Sequence, residues 1–185
     1  MTLTDIANLA LVGLNAKAIN SIDDNEVNAR KVKLLLPNVI ENVSASHTWS
    51  CLRRKIKLAH APEKLEDGRY AYLEPKNLLK IISTYPETDF EREGGRIFAE
   101  PESLSIKCTI CFYDPNEWDV LLRKAILSQL KAELAQIVVK DANLAANYMQ
   151  LALKDLRDAT ADDSRKRRTK RNRSRCEFVD FDSYI

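Results

Sequence analysis

Cys108 and Cys111 stand in a C-x-x-C, the spacing used by metal sites and dithiol redox centres. A zinc centre needs four ligands, and His47, Cys51 and His60 are the nearest candidates for the other two. The surrounding run SLSIKCTICFY reads as a strand, however, and residues three apart on a strand face opposite sides. A thioredoxin-like pair would open a helix instead. The run therefore predicts small buried thiols rather than a metal or redox centre. Asp23-Asp24 is a second candidate, a carboxylate dyad able to hold a metal or move a proton. It follows Ser21 where a helix should begin, so Ser21 as N-cap and Asp24 at the third helical position predict a capping box. Glu91 and Glu93 flank a hairpin and read as solvated edge charges.

Other chemistry lacks its parts. The chain has 185 residues but only 4 Gly and 2 His. No glycine-rich loop is placed to cradle phosphate, no Ser or Cys sits in a triad context, and no His/carboxylate metal spacing falls on a helix. The expectation is a protein that is not an enzyme, with no catalytic residues, no metal and no cofactor. No apolar run approaches the ~20 residues of a membrane span. The N-terminus has no basic residue ahead of its apolar stretch and does not read as a secretory signal. Cys51, Cys108, Cys111 and Cys176 are accordingly expected as reduced thiols.

The net charge of +2 hides three zones. Residues 1–164 carry 21 basic and 24 acidic side chains. Residues 165–175, RKRRTKRNRSR, carry 8 basic and no acidic ones. Residues 176–185 carry 3 acidic side chains with Phe178, Phe181 and Tyr184 among them. Eleven residues with eight like charges repel one another and should not fold alone.

Periodicity supplies the elements that position these groups. Leu3, Ile6, Leu9, Ala10 and Leu14 form a helical stripe over 3–14, weakened at Gly13 and Asn15. A second helix, 22–44, carries Val32, Leu35, Leu36, Val39 and Val43, with Pro37 expected to kink or split it. From 49 to 112 the period shortens. In WSCLRRKIKL, Leu52, Ile56 and Leu58 take one side and Arg53, Lys55 and Lys57 the other, as on a half-exposed strand. A loop around Pro62, Asp67 and Gly68 follows, then an extended Tyr70–Leu73, a helical turn running into a strand over 76–82, a Gly94-Gly95 hairpin and a last strand over 103–112. Asp114-Pro115 should open a long helix to about 140. It is apolar on two sides: Leu127, Leu130, Leu134 and Ile137, then Trp118, Leu121, Leu122, Ala125, Ala132 and Ala135. Such a helix is either central to the core or shared with another chain. Ala145, Met149, Ala152, Leu156 and Ala159 mark a last helix over 142–160. The fold expected is α+β, mainly α: a helical bundle with a small antiparallel sheet and hairpin insertion, spanning 1–160, and an extended C-terminal arm, 161–185.

The order of these features resembles tail tubular protein A, the head-to-tail adaptor family of short-tailed bacteriophages. Leu3-Thr4-Asp5-Ile6-Ala7-Asn8 starts a helix ending at Gly13, and Ile19–Asp24 is an acidic, Ser-containing linker. The helix Asn25–Ser44 is followed by Trp49, then Tyr70-Ala71-Tyr72-Leu73-Glu74-Pro75, a Gly-Gly hairpin, and Pro115-x-x-Trp118 opening a long Ala-rich helix. The resemblance covers residues 3–160 through many weak motifs in the right order. Two segments depart from it: Ser46-His47-Thr48 before Trp49, and Leu73-Glu74-Pro75-Lys76. It implies a virion protein of the phage tail, present in host cytoplasm before assembly. Its members form a twelve-subunit ring under the portal, extend the DNA channel for genome ejection, support the distal nozzle protein and tail fibres, and have no defining catalytic site.

The tail 165–185 matches no family motif, so its reading comes from its residues. Arg165, Lys166, Arg167, Arg168, Lys170, Arg171, Arg173 and Arg175 would pair with acidic side chains of the portal or a neighbouring subunit, with Phe178, Phe181 and Tyr184 as apolar anchors. The alternative is a nucleic-acid-binding protein whose basic strap grips phosphate, including non-specific contact with DNA in the channel; a solvated tail is the third reading. No aromatic residues interleave with the strap as a single-strand stacking platform would need.

Overall fold

The computed structural model describes residues 1–64, 68–138 and 142–179, with side chains described outside 60–64 and 167–179. Four helices and two small antiparallel sheets make an α+β fold, about half of it helical. The chain divides into two compact units, Met1–Val43 with Tyr113–Ile185, and Ser44–Phe112.

The first unit is helical. Helix α1 (Leu3–Val12) opens on a reciprocal cap: Thr2 Oγ1 accepts from Asp5 N at 3.1 Å and Asp5 Oδ2 accepts from Thr2 N at 2.7 Å. Its buried face is Ile6, Ala7, Ala10 and Leu11, while Leu9, expected in the stripe, is half exposed. At 100° per residue Leu9 falls beyond the edge of that face. The linker is fastened by Asn8, whose side-chain amide donates to the Ile19 carbonyl at 2.9 Å and accepts from Ile19 N at 2.8 Å.

Helix α2 (Val27–Ser46) starts later than expected. Ser21 and Asp24 do meet, but in a turn: Asp24 Oδ2 accepts from Ser21 N at 2.9 Å, while Ser21 Oγ accepts from Asp23 N. Short side chains that bond their own backbone stabilise such turns as readily as a helix start. Pro37 does not split α2, whose residues Val32, Leu36, Val39, Ile40 and Val43 are buried.

The helix expected from 115 is two elements. Pro115–Glu117 is a single 3-10 turn capped by Asp114, and Trp118 then turns extended, at φ −93°, ψ 134°. Helix α3 (Val120–Val138) has its own cap, Asp119 Oδ1 accepting from Leu122 N at 2.9 Å. It packs on α1 and on α4 (Ala142–Val179). Leu122, Ala125, Ile126, Leu130, Ala132, Leu134 and Ala135 are all buried. The two apolar sides of α3 are therefore covered largely within the chain itself, as a central core helix requires; Ile137 alone of the predicted rows is exposed.

Helix α4 carries the predicted row, with Ala145, Ala152 and Ala159 buried. It does not stop near 160. It runs to Val179, so residues 161–179 are helical and not an extended arm. The segment has no Gly or Pro and is rich in Arg and Lys, both good helix formers. The helix also reaches 161 already nucleated, which removes the cost a free basic peptide would face.

The second unit holds two sheets where one was expected. One has the order β1-β7-β4 (β1 Arg53–Lys57, β7 Ser105–Ile110, β4 Leu78–Tyr85); the other has β2-β3-β6-β5 (β2 His60–Lys64, β3 Tyr70–Leu73, β6 Arg96–Ala99, β5 Glu91–Glu93). Strand β2 lies in the stretch read as a loop, where Pro62 discouraged a strand. Gly94 and Gly95, at φ 56° and 74°, make the β5–β6 turn. Tyr72, Ile97, Leu104, Ile106 and Cys108 form the core of this unit.

Candidate functional site

The C-x-x-C lies partly on β7. Cys108 is part of the apolar core, and Cys111, just beyond the strand, is also buried. Burial pushes the Cys108 thiol up, against a weaker opposing pull from Arg54, which is the wrong direction for a reactive thiolate. Among the described residues no group of three His, Cys, Asp or Glu side chains is placed to hold a metal. The side chains of His60 and Cys176 lie outside the described ones. His47 packs edge-on against the buried Trp49, ring centroids 5.1 Å apart.

The carboxylate candidates are engaged elsewhere. Asp23 pairs with Lys33 at 2.8 Å, and Asp24 closes the Ser21 turn. Glu91 meets Arg69 at 2.6 Å, and the next residue, Arg92, grips Glu74 with two nitrogens, each at 2.6 Å. These groups organise hairpin and turn.

The arm begins on a packed helix. Asp155 of α4 accepts from Ser128 Oγ at 2.5 Å and pairs with Lys124 at 2.9 Å, tying α4 to α3. Just before the strap, Asp163 is fully buried. Arg165 pairs with Asp162 at 2.9 Å, and Lys166 reaches Asp119 at 3.6 Å. Arg165 and Lys166 are thus the first exposed cations past the packed part of α4. Arg167, Arg168, Lys170, Arg171, Arg173, Arg175 and Phe178 continue on the helical backbone, while Phe181 and Tyr184 lie outside the described residues. The basic residues thus follow one another on the α4 backbone, where the sequence predicted an extended arm.

Sequence reasoning missed a second surface in the helical unit. Leu144, Tyr148 and Leu151 follow one another along one side of α4 at helical spacing, with Leu144 and Leu151 exposed. Tyr148 Oη donates to the Gly13 carbonyl at the end of α1 (3.3 Å), and the Lys131 ammonium lies 4.7 Å above its ring. On α1, Leu9 and Val12 are exposed at 50% and 60%. The spacing of 144, 148 and 151 was visible in the sequence, but the buried alanine row on the same helix is equally regular.

No helix among the described residues is long and apolar enough to cross a membrane. No protein-family model matches the chain, and a search of curated proteins finds no match.

Proposed function

We propose that this protein is a structural subunit of a phage tail, a head-to-tail adaptor whose C-terminal basic helix docks on the portal or on a neighbouring subunit. The observation that carries the reading is the continuity of α4: one helix of 38 residues is anchored on α3 by Asp155 and carries the cationic segment on the same helical backbone. A pre-formed helix loses less conformational freedom on docking than a free strap would. The residue order shared with tail tubular protein A supplies the assembly: a ring, twelve subunits by that resemblance, between portal and nozzle, with tail fibres attached and the DNA channel running through it.

The ring needs head-to-tail contacts, in which one patch meets a different one. Leu9 and Val12 on α1, with Leu144 and Leu151 on α4, offer apolar surface for one side of such a contact. Two-sided burial of α3 no longer argues for a partner, because α1 and α4 cover it.

The test mixes purified chain with portal rings and images the product, using the full chain and a chain ending at Ser164. That end point retains the buried Asp163. Docking expects ring-decorated portals with the full chain and sharply reduced binding with the truncated one, the helical content of residues 1–164 unchanged. Equal binding by both chains defeats docking through the basic helix. A failure of the full chain to decorate portals defeats the adaptor reading itself. The second reading, phosphate binding by the same segment, is favoured by its eight cations without an acid; it expects the truncation to abolish DNA binding and leave portal binding intact.

A further inference from the structure

The three strands of the β1-β7-β4 sheet contain six cations and no carboxylate. Five of the six fall on one face. Register sets Lys55 opposite Lys107 and Lys107 opposite Ser83; Lys57 and Tyr85 both lie opposite Ser105; Arg53 and Lys80 both lie opposite Thr109. The other face carries Ile56, Ile106, Cys108 and Ile81 into the core. Lysines directly opposite one another destabilise a sheet. Burial does not relieve this pair, and no ion pair of the described residues involves Lys55, Lys57, Lys80 or Lys107.

Along the lower two rows lies a hollow of about 610 Å3 whose lining includes Lys55, Lys57, Ser83, Tyr85, Ser105 and Lys107, together with the intervening Ile56, Thr84 and Ile106. Its size falls in the range of ligand clefts, about 300–1,000 Å3, and exceeds what a bare ion fills. Tyr85 stands 80% exposed at its rim. Lysine ammonium groups together with Ser and Tyr hydroxyls are the donors that contact phosphate and sugar in nucleic-acid complexes. Protein interfaces are instead depleted in Lys. An acidic protein surface is thus the poorer match.

We propose that this open face, centred on Lys55, Lys57 and Lys107, binds the phosphate backbone of nucleic acid. The site is built wholly from Ser44–Phe112, shares no residue with the basic helix, and does not depend on the adaptor reading. Contacts to phosphate carry no base identity, so binding is independent of sequence and steeply dependent on salt.

The test is fluorescence anisotropy with a short labelled DNA duplex across a salt series. It compares the full chain, a Lys55→Gln/Lys57→Gln/Lys107→Gln variant, and a Lys17→Gln/Lys33→Gln/Lys154→Gln control that removes the same charge elsewhere. Each is repeated with Arg167, Arg168, Lys170 and Arg171 changed to Gln, so that the basic helix does not mask the face. Circular dichroism verifies that all variants fold. The face variant should bind at least about tenfold more weakly near 0.1 M salt, and its salt slope should fall by about 2–3, at roughly 0.9 for each phosphate no longer neutralised. The control should bind like its parent. Equal losses in face and control variants, or no loss in the face variant, overturn the proposal. Displacement of the duplex by polyglutamate as effectively as by unlabelled DNA at matched charge also overturns it, in favour of an acidic protein partner.

Discussion

Asp155 of α4 and Ser128 of α3 share a hydrogen bond of 2.5 Å, and the other Asp155 oxygen meets the Lys124 ammonium at 2.9 Å. The carboxylate is mostly enclosed, while Lys124 stays largely in solvent. The two partners are therefore not equivalent. Removing the acid breaks both links between the helices, whereas removing the base leaves the Ser128 bond in place.

Asp155→Ala should cost about 1–3 kcal/mol, the loss of a charged, partly buried hydrogen-bond acceptor. Lys124→Ala should cost less than about 1 kcal/mol, as for exposed ion pairs. Urea titrations of both variants check this, and equal costs would contradict the asymmetry.

Acid should weaken the same link. Burial raises the Asp155 pKa, but the Ser128 hydroxyl and the Lys124 ammonium outweigh it and hold the carboxyl below its ordinary range. A depressed folded pKa gives stability that is fully present above the unfolded value, about 3.9, and is lost as pH falls through the folded value. Unfolding midpoints of wild type and Asp155→Asn should therefore differ at pH 6 and converge below about pH 4. A gap that stays constant down to pH 2 would remove Asp155 from the acid response.

In the second unit the buried Tyr72 donates its hydroxyl to the Pro101 carbonyl. Tyr72→Phe keeps the ring and strands that carbonyl, so the cost should be about 1–2 kcal/mol. Burial, with smaller help from Tyr70 and Glu102, pushes the phenol up. The neutral phenol thus contributes stability present below pH ~10 and lost as pH rises toward the folded pKa. Absorbance titration at 295 nm of wild type against Tyr72→Phe should show the Tyr72 phenol as a difference that ionises above the ordinary pH of about 10.

Gly95 at the β5–β6 turn has φ 74°, and a Cβ there would meet nothing within 4 Å. Gly95→Ala should therefore be penalised by backbone strain alone, about 1–2 kcal/mol. Hydrogen exchange should show the loss in β5 and β6 and spare α1, α3 and α4. A loss spread over the helices would mean that the two units unfold together.

Much of the fold was written in local pattern. The switch from period 3.6 to period 2 near Trp49 and back near Pro115 marks the β region, because each period buries one face of one element type. Gly94-Gly95 specified its own hairpin, since few residues tolerate positive φ twice in succession. The alternation Arg53, Lys55, Lys57 against Leu52, Ile56, Leu58 placed β1 half in and half out of the core. The eight cations of 165–175, with no acid among them, marked a basic segment by composition alone.

Other features waited for tertiary structure. The start of α2 at Val27 and the break at Trp118 turn on which backbone hydrogen bonds win when a turn and a helix cap use the same side chains. The run of α4 to Val179 was hidden because repulsion within an isolated basic peptide argues against helix, and only an upstream helix anchored by Asp155 supplies the nucleus. The hollow on the β1-β7-β4 sheet was least legible of all. Lys55 and Lys107 are 52 positions apart in sequence, and nothing local says that they become neighbours. Strand pairing over that distance is decided by the hydrophobic core beneath it, where Ile56, Ile106 and Cys108 must share one face. Once that face is buried, the pleat sends the lysines together to the other side.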